Sequence, residues 1–469
     1  MVIPIESNHF QEIIHKYQVN GPRYTSYPTA REFNDHFSEQ DYYTQAKTSN
    51  QFMVPKSLSA YIHIPFCNSL CYYCGCNKVI SRKEGVAEDY LEYLYKEIKL
   101  QASLFEGGRL LEQIHLGGGT PTYLTSSQLA ELLGVLVQHF HLALPNSLEL
   151  GIEIDPRTVS DQSIKEITDL GFNRISIGVQ DFDTEVQKAI NRVQSKKQVI
   201  STIDAFRRNG VKSVSLDIIY GLPKQTVESF GRTIDEVIDI KPSRIALYHY
   251  AHMPKLISSQ RLIDEKSMPT SMDKITMFSE SVVRLMNAGY IYIGMDHFAL
   301  PEDSLAKALT NGGLQRNFQG YSTHAACDII GFGVSAISSV NNAYCQNTKS
   351  ISTYKKILDN KQLPIVKGIT LKDDDLVRAA VLQQIMCQGK VDYEVFNKRY
   401  HIDFKDYFTA EIEALTAFAS DELVQLDHSG FTVTDQGRFF LRNISMIFDV
   451  YLPKIDLQPV KDSPYSMTL

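Results

Sequence analysis

Residues Ser59–Cys76 read "SAYIHIPFCNSLCYYCGC". The opening "SAYIHIP" is short, mostly apolar and closed by Pro65, which is how a strand and its end look in sequence. The next stretch is no ordinary turn, because four of the chain's seven cysteines fall within the ten residues Cys67–Cys76. A strand running straight into a thiol-rich loop sets the loop at the strand's C-terminal end. The fold then depends on what repeats after it.

The same strand, turn and helix pattern recurs to about residue 300, through "QIHLGGGTP" (Gln113–Pro121), "LELGIEIDP" (Leu148–Pro156), "NRISIGVQDF" (Asn173–Phe182), "SVSLDIIYGLP" (Ser213–Pro223), "RIALYHY" (Arg244–Tyr250) and "GYIYIGMDHFA" (Gly289–Ala299). These are seven candidate strands, six of them well separated by helical segments. In the first segment Tyr90, Leu91, Leu94, Tyr95 and Ile98 recur at helical spacing and make one apolar face. Strands alternating with helices predict parallel pairing with right-handed crossovers, an α/β fold that a barrel or a doubly wound sheet would satisfy. The polar and glycine-rich motifs "GGGTP", "EIDP", "VQDF" and "DIIYGLP" all sit at strand C-terminal ends. A barrel-like closure brings them to one mouth.

Composition sets the outer limits. At 469 residues, with 43% hydrophobic and 22% charged residues, the chain is an ordinary globular protein large enough for two or three domains. Its formal charge of −7 supplies no global field for nucleic acid or an anionic membrane. The start "MVIPIESNHFQEIIHKYQ" lacks the basic end and long apolar core of a secretory signal, and no apolar run reaches the roughly 18 residues of a membrane span. A cytoplasmic protein with free thiols is the expectation.

Beyond about residue 350 the pattern changes to helices ("DDDLVRAAVLQQIM", "AEIEALTAFAS"), a hairpin-like "LVQLDHSGFTVT" and a last helical stretch "GRFFLRNISMIF". The order resembles a winged helix, but Leu371–Val450 carries 8 Lys/Arg against 14 Asp/Glu, the wrong balance for a phosphate-binding face. A packing or lid domain is expected. The tail "LPKIDLQPVKDSPYSMTL" is expected to be loosely ordered.

Three thiolates on a short loop after a strand can hold an iron–sulfur cluster, whereas tetrahedral zinc usually takes cysteine pairs from separate loops. With all four thiols on one loop, a [4Fe–4S] cluster on Cys67, Cys71 and Cys74 is favoured, leaving one iron without a protein ligand; Tyr72 and Tyr73 would shield it. A zinc knuckle or reactive thiols form the competing reading. The scattered Cys327, Cys345 and Cys387 read as small core residues.

Other residues carry chemistry only in combination. Gly117, Gly118 and Gly119 let backbone approach a ligand closely, or merely make a tight turn, and Thr120 adds a hydroxyl. Glu153, on an apolar strand, needs a cationic partner: a ligand's amino or sulfonium group, or else Arg157 or Arg174. Asp217 suits a ribose diol, or a helix cap. Gln180 and Arg192 suit a carboxylate or ribose, although Arg192 also fits a solvated helix charge.

The combined motifs resemble radical S-adenosylmethionine (SAM) enzymes, and specifically the oxygen-independent coproporphyrinogen III oxidase family. The resemblance is carried by "GPRYTSYPTA" (Gly21–Ala30), "YIHIPFCNSLCYYCGCNK" (Tyr61–Lys78), "HLGGGTPTYL" (His115–Leu124), "IEIDPR" (Ile152–Arg157), "FNRISIGVQDF" (Phe172–Phe182), "DIIYGLPKQT" (Asp217–Thr226), "GMDHFA" (Gly294–Ala299), "RNFQGY" (Arg316–Tyr321) and "GVSAIS" (Gly333–Ser338). It implies a partial, three-quarter (β/α)6 barrel spanning 51–300. Around it would lie an N-terminal extension (1–50), a connecting segment (301–365), a helical, winged-helix-like domain (366–450) and a tail (451–469).

The activity it implies is oxidative decarboxylation of two propionates of coproporphyrinogen III to vinyl groups, giving protoporphyrinogen IX. The free iron would chelate SAM, and the 5′-deoxyadenosyl radical would abstract a propionate β-hydrogen. Two SAM molecules are implied: Tyr61, Gly118, Glu153 and Ile337 at the first, and Tyr73, Gly119, Thr120, Gln180, Arg192, Asp217 and Ala251 at the second. Cys76 becomes a wall or catalytic residue of the second site. Arg23, Arg316 and Gln319 are the candidate substrate contacts.

The resemblance further implies a monomer fed by a flavodoxin-like or ferredoxin-like reductant and drained by an electron acceptor, with no nucleic-acid partner. The alternative is a related haem chaperone. Such proteins generally carry Phe at the Cys76 position and lack the Pro-Arg-Tyr-Thr-Ser-Tyr segment, whereas this chain has both the cysteine and the segment.

Overall fold

The computed structural model describes residues 8–106, 108–324, 327–452 and 465–468. Its centre is a run of parallel strands: β1 (Leu58–Ile64), β2 (Leu110–Gly118), β3 (Glu149–Ile154), β4 (Arg174–Gln180), β5 (Ser213–Tyr220) and β6 (Arg244–His249). Each pairs with the next in chain order. Sequential order with right-handed crossovers puts the connecting helices on one face, so the sheet is singly wound and barrel-like rather than doubly wound. No β6–β1 pairing closes it among the described residues.

Period-two alternation sorts the side chains. In β5, Val214, Leu216, Ile218 and Tyr220 are buried, while Ser213, Ser215 and Asp217 alternate with them and are only partly buried. The same alternation aligns Tyr61 and His63, His115, Glu153, and Ser176 on the inner face, and register sets Tyr61 beside His115 and Glu153 beside Ser176. A lower inner layer is a continuous polar chain: Ser59 donates to Gln113 (2.8 Å), Gln113 to Glu149 (2.7 Å), and Arg174 pairs with Glu149 (2.6 Å). The outer face takes helices such as Val86–Ala102, whose Tyr90, Leu91, Leu94 and Ile98 are buried. Burying a leucine-sized side chain contributes roughly 1.5–3 kcal/mol. Thr125 and Thr226 start the helices after β2 and β5 with capping boxes.

Two expectations about strands need correction. "GYIYIGMDHFA" is not a single strand but an antiparallel hairpin, β7 (Ile291–Gly294) and β8 (His297–Ala299), with β8 antiparallel to β6. Gly294 (φ 149°) and Met295 (φ 54°) turn the chain there, a conformation that interrupts a strand. The stretch expected to connect domains also adds β9 (Asp328–Phe332), parallel to β1, then the antiparallel β10 (Ile337–Val340) and β11 (Ala343–Asn347), which β12 (Ile365–Thr370) extends.

Helix Asp373–Gln388 opens the C-terminal part, and the hairpin Val424–Leu426/Gly430–Val433 forms as its sequence suggested, with Lys390–Asp392 added on its far edge. The final helical stretch is a 3-10 turn, Gly437–Phe440, leading into helix Leu441–Met446. Most of the tail expected to be loose lies outside the described residues, but its end is held: Thr468 donates its N–H to the Val19 carbonyl at 2.7 Å, and Arg442 donates to the Met467 carbonyl at 2.7 Å. No helix among the described residues is long and apolar enough to cross a membrane.

Candidate active site

The C-terminal ends of β1 and β2 are zipped together beyond their ladder. Gly119 and Thr120 donate their N–H groups to the carbonyls of Ile64 (2.8 Å) and Phe66 (2.9 Å). A Cβ on Gly119 would lie 2.8 Å from the Pro65 and Phe66 carbonyl oxygens, so only glycine permits this approach. The contact delivers the Thr120 hydroxyl to the Cys67 sulfur at 3.3 Å.

The cysteine loop is fastened at several further points. Phe66–Cys67 pairs with Val79–Ile80, Asn191 donates to the Leu70 carbonyl at 2.7 Å, and Lys78 donates to the Cys74 carbonyl at 2.7 Å. Gln260 bridges the carbonyls of Tyr73 (2.9 Å) and Ala251 (3.1 Å), tying the loop to the end of β6. Burial pushes the Cys67 thiol up to about 11, with Cys74 and Cys71 adding to the rise. A hydrogen bond with Cys76, helped by the charges of Lys78 and Arg192, draws Cys74 down to about 6. Cys76 is exposed while Cys67 and Cys71 are buried.

Asp155, which the motifs alone did not single out, organises the cationic side of the loop. Its carboxylate accepts from Arg157 Nη2 at 2.6 Å and Arg192 Nη1 at 3.0 Å. Both guanidinium groups also reach the Cys71 sulfur, at 3.8 and 3.7 Å. Burial opposes the charge on Asp155, but the Arg157 hydrogen bonds and the Arg192 charge outweigh it and hold the carboxyl below its usual range. Arg192 is buried, unlike a solvated helix charge, and its Nε has no hydrogen-bond partner. A buried donor left free beside a sulfur loop suits an acidic ligand group.

Glu153 pairs with neither arginine considered for it, since Arg157 takes Asp155 and Arg174 takes Glu149. It accepts the Gly118 N–H at 3.1 Å and lies 3.6 Å from His115 Nε2. Tyr61 stacks on His115 with centroids 6.1 Å apart, and its hydroxyl meets His63 Nδ1 at 3.2 Å. Gly331, level with Tyr61 on β9, sits against the Ile337 backbone, where a Cβ would lie 2.6 Å from the Ile337 oxygen. Across the sheet Asp217 lies within β5, not at a helix start, and accepts from Ser176 at 3.2 Å. Burial, with the nearby charge of Glu153, raises it to about 7. Gln180 ends β4 with φ 70° and turns its amide back over Gly178.

The substrate candidates occupy two places. Arg23 donates to the His249 carbonyl at 2.9 Å and reaches Asp296 at 3.4 Å, which ties the N-terminal segment to the end of β6. Arg316 and Gln319 lie in the hairpin Gln315–Asn317/Gly320–Ser322 and its turn. Arg316 is buried over the Tyr321 ring, with Nε and Nη1 unpartnered, and the Gln319 amide nitrogen is likewise unpartnered.

A loop of converging sulfurs at the mouth of an open parallel barrel, flanked by buried cations and carboxylates, is the donor set of a radical SAM enzyme. The Radical SAM superfamily model matches residues 61–237, and the HemN C-terminal domain model matches 371–440. The oxygen-independent coproporphyrinogen III oxidases of Pseudomonas aeruginosa and Escherichia coli are 45% and 42% identical, over 95% and 94% of this chain and 97% and 95% of their own. The solved Escherichia coli coproporphyrinogen III oxidase, described as a radical SAM enzyme, superposes with a TM-score of 0.88 at 40% identity, covering 93% of this chain and 100% of that one. The chain belongs to the oxygen-independent coproporphyrinogen III oxidase family. That class works with a [4Fe–4S] cluster and SAM.

Proposed function

We propose that the chain converts coproporphyrinogen III to protoporphyrinogen IX without oxygen, by oxidative decarboxylation of two propionate side chains. The observation that carries this reading is the convergence of Cys67, Cys71 and Cys74 with Thr120, Arg157 and Arg192 at the barrel mouth of a chain in this family. When bound, the cluster and SAM supply the electron and the hydrogen-abstracting radical.

The chain's own residues supply the rest. Cys67, Cys71 and Cys74 hold the cluster. The Gly118 and Gly119 backbone, Tyr61 and Ile337 shape the wall of a first SAM site, and Glu153 attracts a cationic amino group. The charge of Glu153 is available for this because no Lys or Arg among the described residues pairs with it. Tyr73, Gly119, Thr120, Gln180, Arg192, Asp217 and Ala251 line a second SAM site, which the Gln260 bridge between Tyr73 and Ala251 supports. Asp217, raised to about 7 by burial, can accept or donate to a ribose hydroxyl near neutral pH. Cys76, hydrogen-bonded to Cys74, is assigned to the wall of that second site.

Arg23, Arg316 and Gln319 receive substrate carboxylates, and the two free nitrogens of buried Arg316 support the assignment. Within the barrel the buried walls exclude water from the reacting centre. The chain divides into an extension (1–50), the barrel (51–300), a connecting segment that also widens the sheet (301–365), a lid-like C-terminal domain (366–450) and a tail (451–469). It acts as a cytoplasmic monomer reduced by a flavodoxin-like or ferredoxin-like protein, and a separate one-electron acceptor takes the electron left on the substrate as each carbon dioxide leaves.

Anaerobic incubation of reconstituted protein with SAM, a reductant and coproporphyrinogen III is the test, with chromatography of the porphyrinogens. Protoporphyrinogen and carbon dioxide should form. Tight haem binding with no decarboxylation would instead identify a haem carrier.

A further inference from the structure

Four metal-ligating side chains meet at the end of the barrel opposite the cysteine loop. Glu112, near the start of β2, directs Oε2 at His324 Nδ1 (3.8 Å) and at the Cys327 sulfur (3.8 Å). One donor atom from each of Glu112, His324 and Cys327 lies within 4.8 Å of the others, and all three residues are partly buried. Glu149, at the start of β3, faces the other imidazole nitrogen at 3.8 Å.

The two Glu112 separations are too long for strong hydrogen bonds but lie at the upper end for donors sharing one ion, with the third pair bounded by 4.8 Å. Ligands about 2.0–2.3 Å from a tetrahedral zinc lie roughly 3.3–3.8 Å from each other. The cations nearby are already committed: Arg174 pairs with Glu149 at 2.6 Å, and Arg109 with Asp328 at 2.6 Å. Among the described residues Glu112 has no Lys or Arg partner; its other oxygen takes a hydrogen bond from Ser57 at 2.7 Å. Cys327, expected to be a core residue, differs from buried Cys345 and Cys387 in touching this carboxylate.

We propose that Glu112, His324 and Cys327 form a divalent-metal site of the zinc class, separate from the cysteine loop. A thiolate, an imidazole and a carboxylate are the borderline-soft set that zinc accepts, and three protein ligands leave a fourth position for water. Glu149 acts as a positioning residue: when one imidazole nitrogen binds the ion, the other donates to Glu149, which Arg174 and Gln113 hold in place. His324 and Cys327 line a cavity of about 480 Å³ that also reaches Arg316, giving the ion an entry path. The ion would clip the segment after the Arg316 hairpin to β2 and β3.

Cobalt(II) is the probe, titrated anaerobically into cluster-loaded protein freed of loose metal by a chelator. The proposal expects one equivalent bound with a thiolate-to-cobalt absorption band, displaced by zinc, and iron and sulfide unchanged. Cys327→Ser should abolish the band, and His324→Ala should weaken binding at least as much as Glu149→Gln, for which roughly a 10–100-fold loss is expected. Retained iron and sulfide in each variant shows that it has folded. A band of equal strength in Cys327→Ser, or no stoichiometric cobalt in the unmodified protein, overturns the proposal.

Discussion

Arg192 donates through Nη1 to Asp155 at 3.0 Å and through the same nitrogen reaches the Cys71 sulfur at 3.7 Å. One buried arginine thus couples the end of β3 to the cysteine loop, and Asp155 aims it.

Replacing Asp155 by Asn should therefore destabilise the chain. It leaves buried Arg192 and half-buried Arg157 without their carboxylate, a loss of about 3–5 kcal/mol for a broken buried pair. Urea unfolding of the cluster-free protein measures it. Because the folded carboxyl is held below its unfolded value, the pair's contribution is full above about pH 4 and is lost as pH falls through the depressed value. The gap between Asp155→Asn and the parent should stay constant from pH 7 to about 5 and shrink below about 4.

The cysteines should separate by role. Cys67→Ser, Cys71→Ser or Cys74→Ser should remove the brown chromophore with its iron and sulfide, whereas Cys76→Ser should keep all three and lose turnover. Loss of cluster from Cys76→Ser alone would reassign the ligands.

The ribose contact proposed for Asp217 would come at a cost in stability. Its folded carboxyl is raised to about 7, so between about pH 4 and 7 it holds a proton that the unfolded chain has released, and stability falls across that window and stays lowered above it. Asp217→Asn should be more stable than the parent at pH 8 by up to a few kcal/mol, since each tenfold change in proton affinity corresponds to about 1.4 kcal/mol. The difference should vanish below about pH 4, where the carboxyl is protonated in both the folded and the unfolded chain. The same variant should bind SAM at least tenfold more weakly by calorimetry, since a carboxylate–hydroxyl bond contributes about 1.5–3 kcal/mol.

Arg316→Ala should raise KM for coproporphyrinogen III by roughly tenfold or more while cluster content stays unchanged, the expected cost of one charge-assisted hydrogen bond. An unchanged KM would remove Arg316 from the substrate site.

Much of the fold was legible because parallel strands and their helices leave strong local patterns: the six strands from Leu58 to His249 fall on short apolar runs between helical segments, and four of them are followed within two residues by a Gly or Pro. The sheet's other flank was not legible. Asp328–Phe332 and Ile337–Val340 are only a few residues long, so no period announces them, and the first pairs with β1 from about 270 residues away. The cysteine spacing pointed to its chemistry directly. Asp155 did not, although "EIDPR" held both it and Arg157, because its second partner, Arg192, arrives from 37 residues away. For Glu153 the sequence offered Arg157 or Arg174 as protein partners, but both pair elsewhere, and only register could place His115 near it instead.

The central claim is that one iron of a three-cysteine cluster is reserved for SAM, and electron paramagnetic resonance of the dithionite-reduced protein, with and without SAM, tests it most directly. The account predicts a [4Fe–4S]⁺ signal whose g-values shift on adding SAM, with hyperfine coupling to SAM's amino nitrogen and to an oxygen-17-labelled carboxylate, and 5′-deoxyadenosine in the quenched sample. A signal indifferent to SAM, from a cluster that also needs Cys76 to form, would contradict it.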